Sequence, residues 1–410
     1  MNTKTLTSGI RLIHHPSPTN VAYCGIAVDA GTRDELPSEF GIAHFCEHIL
    51  FKGTTHRAAW HILNRMESVG GDLNAYTTKE ETVVYAAFMK EHLERAVELI
   101  TDIIFNSTFP QHEMNKEAEV IIEEIESYHD SPADLIFDDF ENMLFHGHAL
   151  GHDILGESEE IRQYNNQNLL DFTGRLYLPE RMVFFVFGDY DFKKVAKMVE
   201  RYTSLYIPTN QSHPSNHSIE RMPFTDYHPT IRKEKHDTHQ AHVMLGCPAY
   251  DAEDDRRIAL YFLNNIIGGP GMNSILNLAL REHNGLVYNV ESSLTNYTDT
   301  STFAVYFGCD PKDIEKCLRI VRKEFDRLMS EPMTERRFNA YMKQIKGQIG
   351  VACDNFESLA LDMAKSFLHY GKFDTIEETY KLLDTLTPEI IHQVAKEVLS
   401  KDKISILVYQ

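Results

Sequence analysis

The sequence predicts an α+β protein made of two homologous halves, each a mostly antiparallel sheet covered by helices. Three observations point there. Short runs of strand character stand between longer amphipathic runs of helical period. The order of those runs repeats at an offset of about 220 residues. Between the copies, residues 207–230 are dominated by Pro, Ser and Asn and keep no apolar period, which marks a linker. The expected division is therefore 1–206, a linker at 207–230, and 231–410.

The elements of the first half can be justified in turn. IRLIHH at 10–15 and VAYCGIAVDAG at 21–31 alternate or run apolar as strands do. Ser38 is a candidate N-cap for a helix running through IAHFCEHIL, and Gly53 a candidate stop. A second helix is expected near 57–68, ended by Gly70-Gly71. Residues 72–89 read as two strands joined by a polar turn. Helices follow at about 91–105 and 113–129, then more helix to about 178. RMVFFVFGD at 181–189 is apolar throughout, as a strand buried on both faces would be.

Past the linker the pattern starts again. Residues 20–31 align with 240–251, the strand pair 72–88 with 292–308, helix 91–105 with a helix near 311–329, and the strand 183–187 with 403–407. Four matches near one offset imply duplicated halves.

A formal net charge of −21 weighs against nucleic acid, since nothing concentrates Lys and Arg against phosphate. The six cysteines (24, 46, 247, 309, 317, 353) form no C-x-x-C pair and read as reduced thiols. No run approaches the ~18 apolar residues of a membrane helix. MNTKTLTSGIRLIHH has neither an apolar h-region nor an Arg-rich amphipathic stretch, so a cytoplasmic protein without membrane association is expected.

The chemistry centres on His44-Phe45-Cys46-Glu47-His48. Two histidines four apart on a helix project from one face, a spacing at which both can hold one metal ion. Glu47, three residues after His44, lies near enough to that face to activate a water. The order H-x-x-E-H is the inverzincin signature. At the repeat offset these positions become Asn264, Ile267 and Gly268, so the second half carries the scaffold without the metal-type residues.

A pair of histidines needs a third protein ligand. In EMNKEAEVIIEEIESYH at 113–129, Met114, Ala118, Ile121, Ile125 and Tyr128 form one apolar stripe at about 100° per residue. Glu117 and Glu124 fall at its edge and point inward, where a carboxylate is costly unless it meets a cation. Glu119, Glu123 and Glu126 fall on the opposite, solvated face. Helical geometry thus leaves Glu117 and Glu124 as candidates and sets Glu123 aside. The ladder HGHALGH at 146–152 has no partner ligands that the sequence can name, and Gly268, Gly269 and Gly271 read as a turn, since no Gly-Lys-Ser/Thr follows them.

H-x-x-E-H followed 76 residues later by Glu124, with Glu117 seven before it, resembles the pitrilysin/insulinase family of zinc metallopeptidases. HFCEHILFKGT is especially similar to the catalytic subunit of the mitochondrial processing peptidase and to the short bacterial members. GGDLNAYTTKEETVVYA at 70–86 and GMNSILNLALREHNGLVY at 271–288 extend the resemblance over the whole chain. It implies that His44, His48 and Glu124 bind Zn2+, that Glu47 is the general base, and that Glu117 supports the site. It further implies that Asn74 and Ala75 hold substrate backbone by strand addition, a mode that main-chain hydrogen bonding favours. Arg281 and Tyr288 would be given by the second half to the substrate carbonyl. Cys46 stands where Leu is more usual and Asn284 interrupts a basic run; neither removes a functional group.

The resemblance implies a zinc endopeptidase acting on unfolded peptides or presequence-like segments inside a chamber formed by two chains. A homodimer is expected, with a heterodimer as the alternative. A non-catalytic peptide-binding or scaffold subunit, or a catalytic subunit active only with a sister chain, is the competing expectation.

Overall fold

A computed structural model describes residues 1–206, 221–236 and 238–410 of the chain. Its strands form two sheets. The first contains β1 (Asn2–Thr5), β2 (Arg11–Pro16), β3 (Val21–Val28), β4 (Asp72–Thr77), β5 (Thr82–Met89) and β6 (Met182–Gly188), in the order β1-β2-β6-β3-β5-β4. The second contains β7 (Ile231–Glu234), β8 (Ala241–Ala249), β9 (Val287–Asn296), β10 (Ser301–Cys309) and β11 (Ser405–Tyr409), in the order β7-β11-β8-β10-β9. Only β2–β6 and β7–β11 run parallel. From β2 onward the two orders are the same, position for position, which makes the α+β architecture in two homologous halves visible.

The helices are α1 (Ile42–Leu50), α2 (Ala59–Glu67), α3 (Leu93–Asn106), α4 (Gln111–His129), α5 (Pro132–Leu144), α6 (Ser158–Ile161) and α7 (Asn166–Leu176). They continue with α8 (Phe192–Thr203), α9 (Arg257–Gly268), α10 (Ile314–Ser330), α11 (Glu335–Ala352), α12 (Phe356–Tyr370), α13 (Ile376–Leu383) and α14 (Pro388–Val398).

Several expectations are corrected. The strand β1 was not foreseen, because NTKT is polar and exposed throughout and has no apolar alternation to read. Ser38 is not the N-cap of α1. That position falls to Gly41, whose φ of 84° turns the chain into the helix at a conformation favouring glycine. The helix expected to run to 178 is broken over residues 145–157, where Gly147 and Gly156 take φ of 77° and 71°. The apolar stripe of α4 consists of Met114, Ala118, Ile121, Ile122 and Ile125, while Tyr128 is exposed.

The chain separates into two compact units that do not follow the sequence halves. Unit 1 comprises Met1–Glu126, His152–Arg221 and Asn355–Phe373; unit 2 comprises Ser127–Gly151, Met222–Asp354 and Asp374–Gln410. The linker expected at 207–230 lies outside the described residues over 207–220.

The physical reason for the exchange is that each sheet has two apolar faces. In unit 1, one face is buried by residues of α1, α3, α4, α7 and α8. The other is covered by Ala360, Met363, Ala364 and Leu368 of α12, packed on Ile13, Val83, Val183, Phe185 and Phe187. In unit 2, α9, α10 and α14 bury one face, and Ile136, Phe140 and Leu144 of α5 the other. Burial on both sides explains why MVFFVFG of β6 is apolar at every position. Among the described residues, no helix is long and apolar enough to cross a membrane.

Candidate metal centre

The metal-type residues come together in unit 1 on α1 and α4. The nine-residue helix α1 buries Ile42, Ala43, Phe45, Cys46, Ile49 and Leu50 in the core beneath the sheet. That packing fixes its rotation and turns His44, Glu47 and His48 toward α4. The two imidazole rings stand 4.5 Å apart between centroids.

Glu124 meets them from α4. Its Oε2 lies 3.6 Å from His48 Nε2 and 4.0 Å from His44 Nε2. The donor atoms of His44, His48 and Glu124 all lie within 4.8 Å of one another, and among the described residues no other group of His, Cys, Asp or Glu forms such a cluster. Two imidazoles and a carboxylate are a donor set suited to catalytic zinc. A tetrahedral site with bonds of ~2.0–2.1 Å places donors about 3.3 Å apart. The donor separations exceed that spacing by at most about 1.5 Å, a closure that side-chain adjustment shared between partners can supply, and the residues fit the ion.

Burial and the neighbouring His48 push the His44 imidazole down to about 3, so at neutral pH it is uncharged and its lone pair is available. Glu47 Oε2 lies 4.0 Å from His44 Nε2. Burial raises the pKa of its carboxyl; His48 opposes the rise, while the Glu124 and Glu117 carboxylates add to it. A carboxylate raised this way is a better proton acceptor than an exposed one.

Glu117, left level with Glu124 by the helical pattern, takes a different place. Its Oε1 is 3.1 Å from His48 Nδ1, and its Oε2 is 2.6 Å from Lys52 Nζ. It thus bonds the far nitrogen of His48 and selects the tautomer whose Nε2 faces Glu124. His44 Nδ1 is buried without a hydrogen-bond partner among the described residues. Lys52 is a residue that sequence reasoning missed; its position four residues beyond His48 was the available signal. Glu119, Glu123 and Glu126 are exposed, as the helical wheel required.

Asn74 and Ala75 lie on β4, the edge strand of the first sheet, opposite Tyr85 and Val84 of β5. Ala75 packs toward the core and Asn74 is exposed. No strand pairs with the outer edge of β4 among the described residues, and α1 lies against the strand. In unit 2, Arg281 sits on a π-helical turn (Asn277–Glu282) and Tyr288 near the start of β9. The Arg281 guanidinium lies 5.7 Å from the centre of the Tyr288 ring, and Tyr288 is 83% exposed. The positions equivalent to His44, Glu47 and His48 occupy the end of α9, where Ile267 is fully buried.

Comparison with known proteins gives two family matches. Residues 11–158 match the model of the insulinase family, peptidase family M16, and residues 163–345 match that of the peptidase M16 inactive domain. An uncharacterized zinc protease of Mycobacterium leprae is 33% identical, over 97% of this chain and 89% of that one. One from Bacillus subtilis is 30% identical over 97% and 95%. The beta subunit of the mitochondrial-processing peptidase of Bos taurus is 30% identical over 96% and 81%. A protease from Helicobacter pylori has the same fold, with a TM-score of 0.91 at 19% identity, covering 100% of this chain and 99% of that one. The chain belongs to the insulinase family, peptidase family M16.

Proposed function

We propose that this chain is a zinc-dependent endopeptidase that cleaves unfolded peptides or presequence-like segments. The observation that carries the reading is the cluster of His44, His48 and Glu124 with Glu47 beside it. The names of its relatives, zinc proteases and a mitochondrial-processing peptidase subunit, support it.

His44, His48 and Glu124 would hold the ion, which when bound supplies a Lewis acid and lowers the pKa of water towards ~7. Glu47 accepts the proton of the attacking water and returns it to the leaving amine. Glu117 holds the His48 ring in orientation. The unpaired edge of β4, with Asn74 and Ala75, offers main-chain hydrogen bonds to an extended peptide, which favours unfolded substrates. Arg281 and Tyr288, an exposed donor pair, would stabilise the oxyanion. A homodimer enclosing a chamber is the proposed assembly, with a heterodimer as its alternative. Six free cysteines suit a reducing, cytoplasmic setting, and the charge of −21 suits neither nucleic acid nor anionic membranes.

The test is to incubate wild type and Glu47→Gln with a mixed peptide pool, map the cut sites by mass, and measure zinc in both. The expected result is about one zinc per chain in each, with cleavage by wild type alone, since the three donors are untouched. Normal cleavage by Glu47→Gln would overturn the mechanism. Zinc binding without cleavage by wild type would favour the peptide-binding subunit, or one that works only with a sister chain.

A further inference from the structure

We infer that Glu35 and His152 are positioning residues of the metal centre, forming a clamp on the first turn of α1 that sets where His44 and His48 stand. This rests on the zinc-peptidase reading above. The N-terminus of α1 is buried, yet its N-cap is Gly41, which has no side chain to accept the free N–H groups. The Glu35 carboxylate does so from outside the helix. Its Oε2 accepts from Gly41 N at 3.0 Å and its Oε1 from Ala43 N at 2.8 Å. The second of these N–H groups belongs to the residue immediately before His44. The Glu35 side chain is 0% exposed; burial pushes its carboxyl well up, while the Ala43 and Gly41 N–H groups, the Lys79 ammonium and the helix dipole oppose the rise by favouring the charged form.

His152 holds Glu35 in turn. Its Nε2 lies 3.1 Å from Glu35 Oε2, and its ring stacks on Phe40 at 4.2 Å between centroids. Lys79 donates to the His152 carbonyl, and the Tyr164 hydroxyl donates to the Phe40 carbonyl at 2.9 Å. Four residues after His152, the backbone of Gly156 crosses that of Gly41 so closely that a Cβ on Gly156 would come within 2.6 Å of Gly41 Cα. The last histidine of the HGHALGH ladder is thereby accounted for: it fastens a loop onto the start of the metal helix. Ligand atoms must be held to about 0.5 Å for tight coordination. The first turn of α1 leads directly into His44, with His48 one turn further on.

The experiment measures zinc affinity of the full chain by competition with a chromophoric chelator, alongside circular dichroism and the melting temperature. Glu35→Gln, which can accept only one of the two N–H groups, should remain folded and bind zinc at least about tenfold more weakly. His152→Ala, which leaves both N–H caps in place, should weaken binding less, and His152→Gln, which restores a donor to Glu35, should recover part of the loss. Val183→Ala, on the opposite face of the first sheet, should lower the melting temperature and keep wild-type affinity. If Glu35→Gln fails to fold, the His152 pair decides: equal affinity for wild type, His152→Ala and His152→Gln would overturn the clamp. Folded Glu35→Gln with affinity within about twofold of wild type would overturn it as well, as would an equal loss in Val183→Ala. Failure of wild type to bind zinc would instead remove the zinc-peptidase reading on which the clamp rests.

Discussion

Replacing Glu117 should weaken zinc binding without abolishing it, because in the proposed site this carboxylate stands behind His48 and outside the three-donor cluster. Its Oε1 is 3.1 Å from His48 Nδ1, on the side of the ring away from Glu124. Losing a carboxylate behind a metal-bound histidine typically costs 10- to 100-fold in metal affinity, or about 1.4–2.7 kcal/mol. Glu117→Gln keeps an acceptor for His48 and loses the charge, so it should fall near the tenfold end. Glu117→Ala loses both and should approach a hundredfold. Freeing Lys52 adds little, since its side chain is 28% exposed and water can replace its partner. Glu124→Ala removes a donor atom and should exceed about a hundredfold, while Glu123→Ala, on the exposed face of α4, should change nothing. Chelator competition at fixed pH measures all four. If Glu117→Ala lost zinc as completely as Glu124→Ala, Glu117 would be a ligand and the geometric assignment wrong. Unchanged affinity would mean that the His48–Glu117 bond contributes nothing.

Three further outcomes are expected. Arg281→Ala and Tyr288→Phe should each slow peptide cleavage by ~10²–10³ in kcat with zinc content unchanged, as loss of an oxyanion donor does; unaltered turnover would remove the pair from the proposed site. Met363→Ala, on α12, should cost unit 1 about 2–5 kcal/mol and lower the melting transition that zinc raises, although Met363 lies in the second sequence half. Burial pushes the Glu81 carboxyl up, but the His369 hydrogen bond and the Lys365 ammonium outweigh it and hold it at about 2. A depressed carboxyl stabilises the fold above its unfolded value and loses that contribution as pH falls through the folded one. Glu81 therefore supplies about 3 kcal/mol that should disappear between about pH 5 and pH 2, and denaturant titrations of Glu81→Gln should lack that part of the acid slope.

What the sequence by itself determined was whatever depends on local periodicity. Alternation and apolar runs located nine of the eleven strands, and the exceptions, β1 and β7, are short polar edges with no pattern to read. The spacing of His44 and His48 placed both on one helix face, and rotation along α4 excluded Glu123. The offset of about 220 residues identified the duplication and the half without metal-type residues. The choice between Glu117 and Glu124 was different. Seven residues apart, they share one face of α4, and only the packing of α1 against that helix put one carboxylate between the imidazoles and the other behind His48. The exchange of α5 and α12 between units was hidden for the same reason. An amphipathic stripe records that a face is buried without recording which sheet buries it. Tertiary packing alone decided that Glu35, rather than Ser38, would cap the metal helix, because its partner His152 lies 117 residues away.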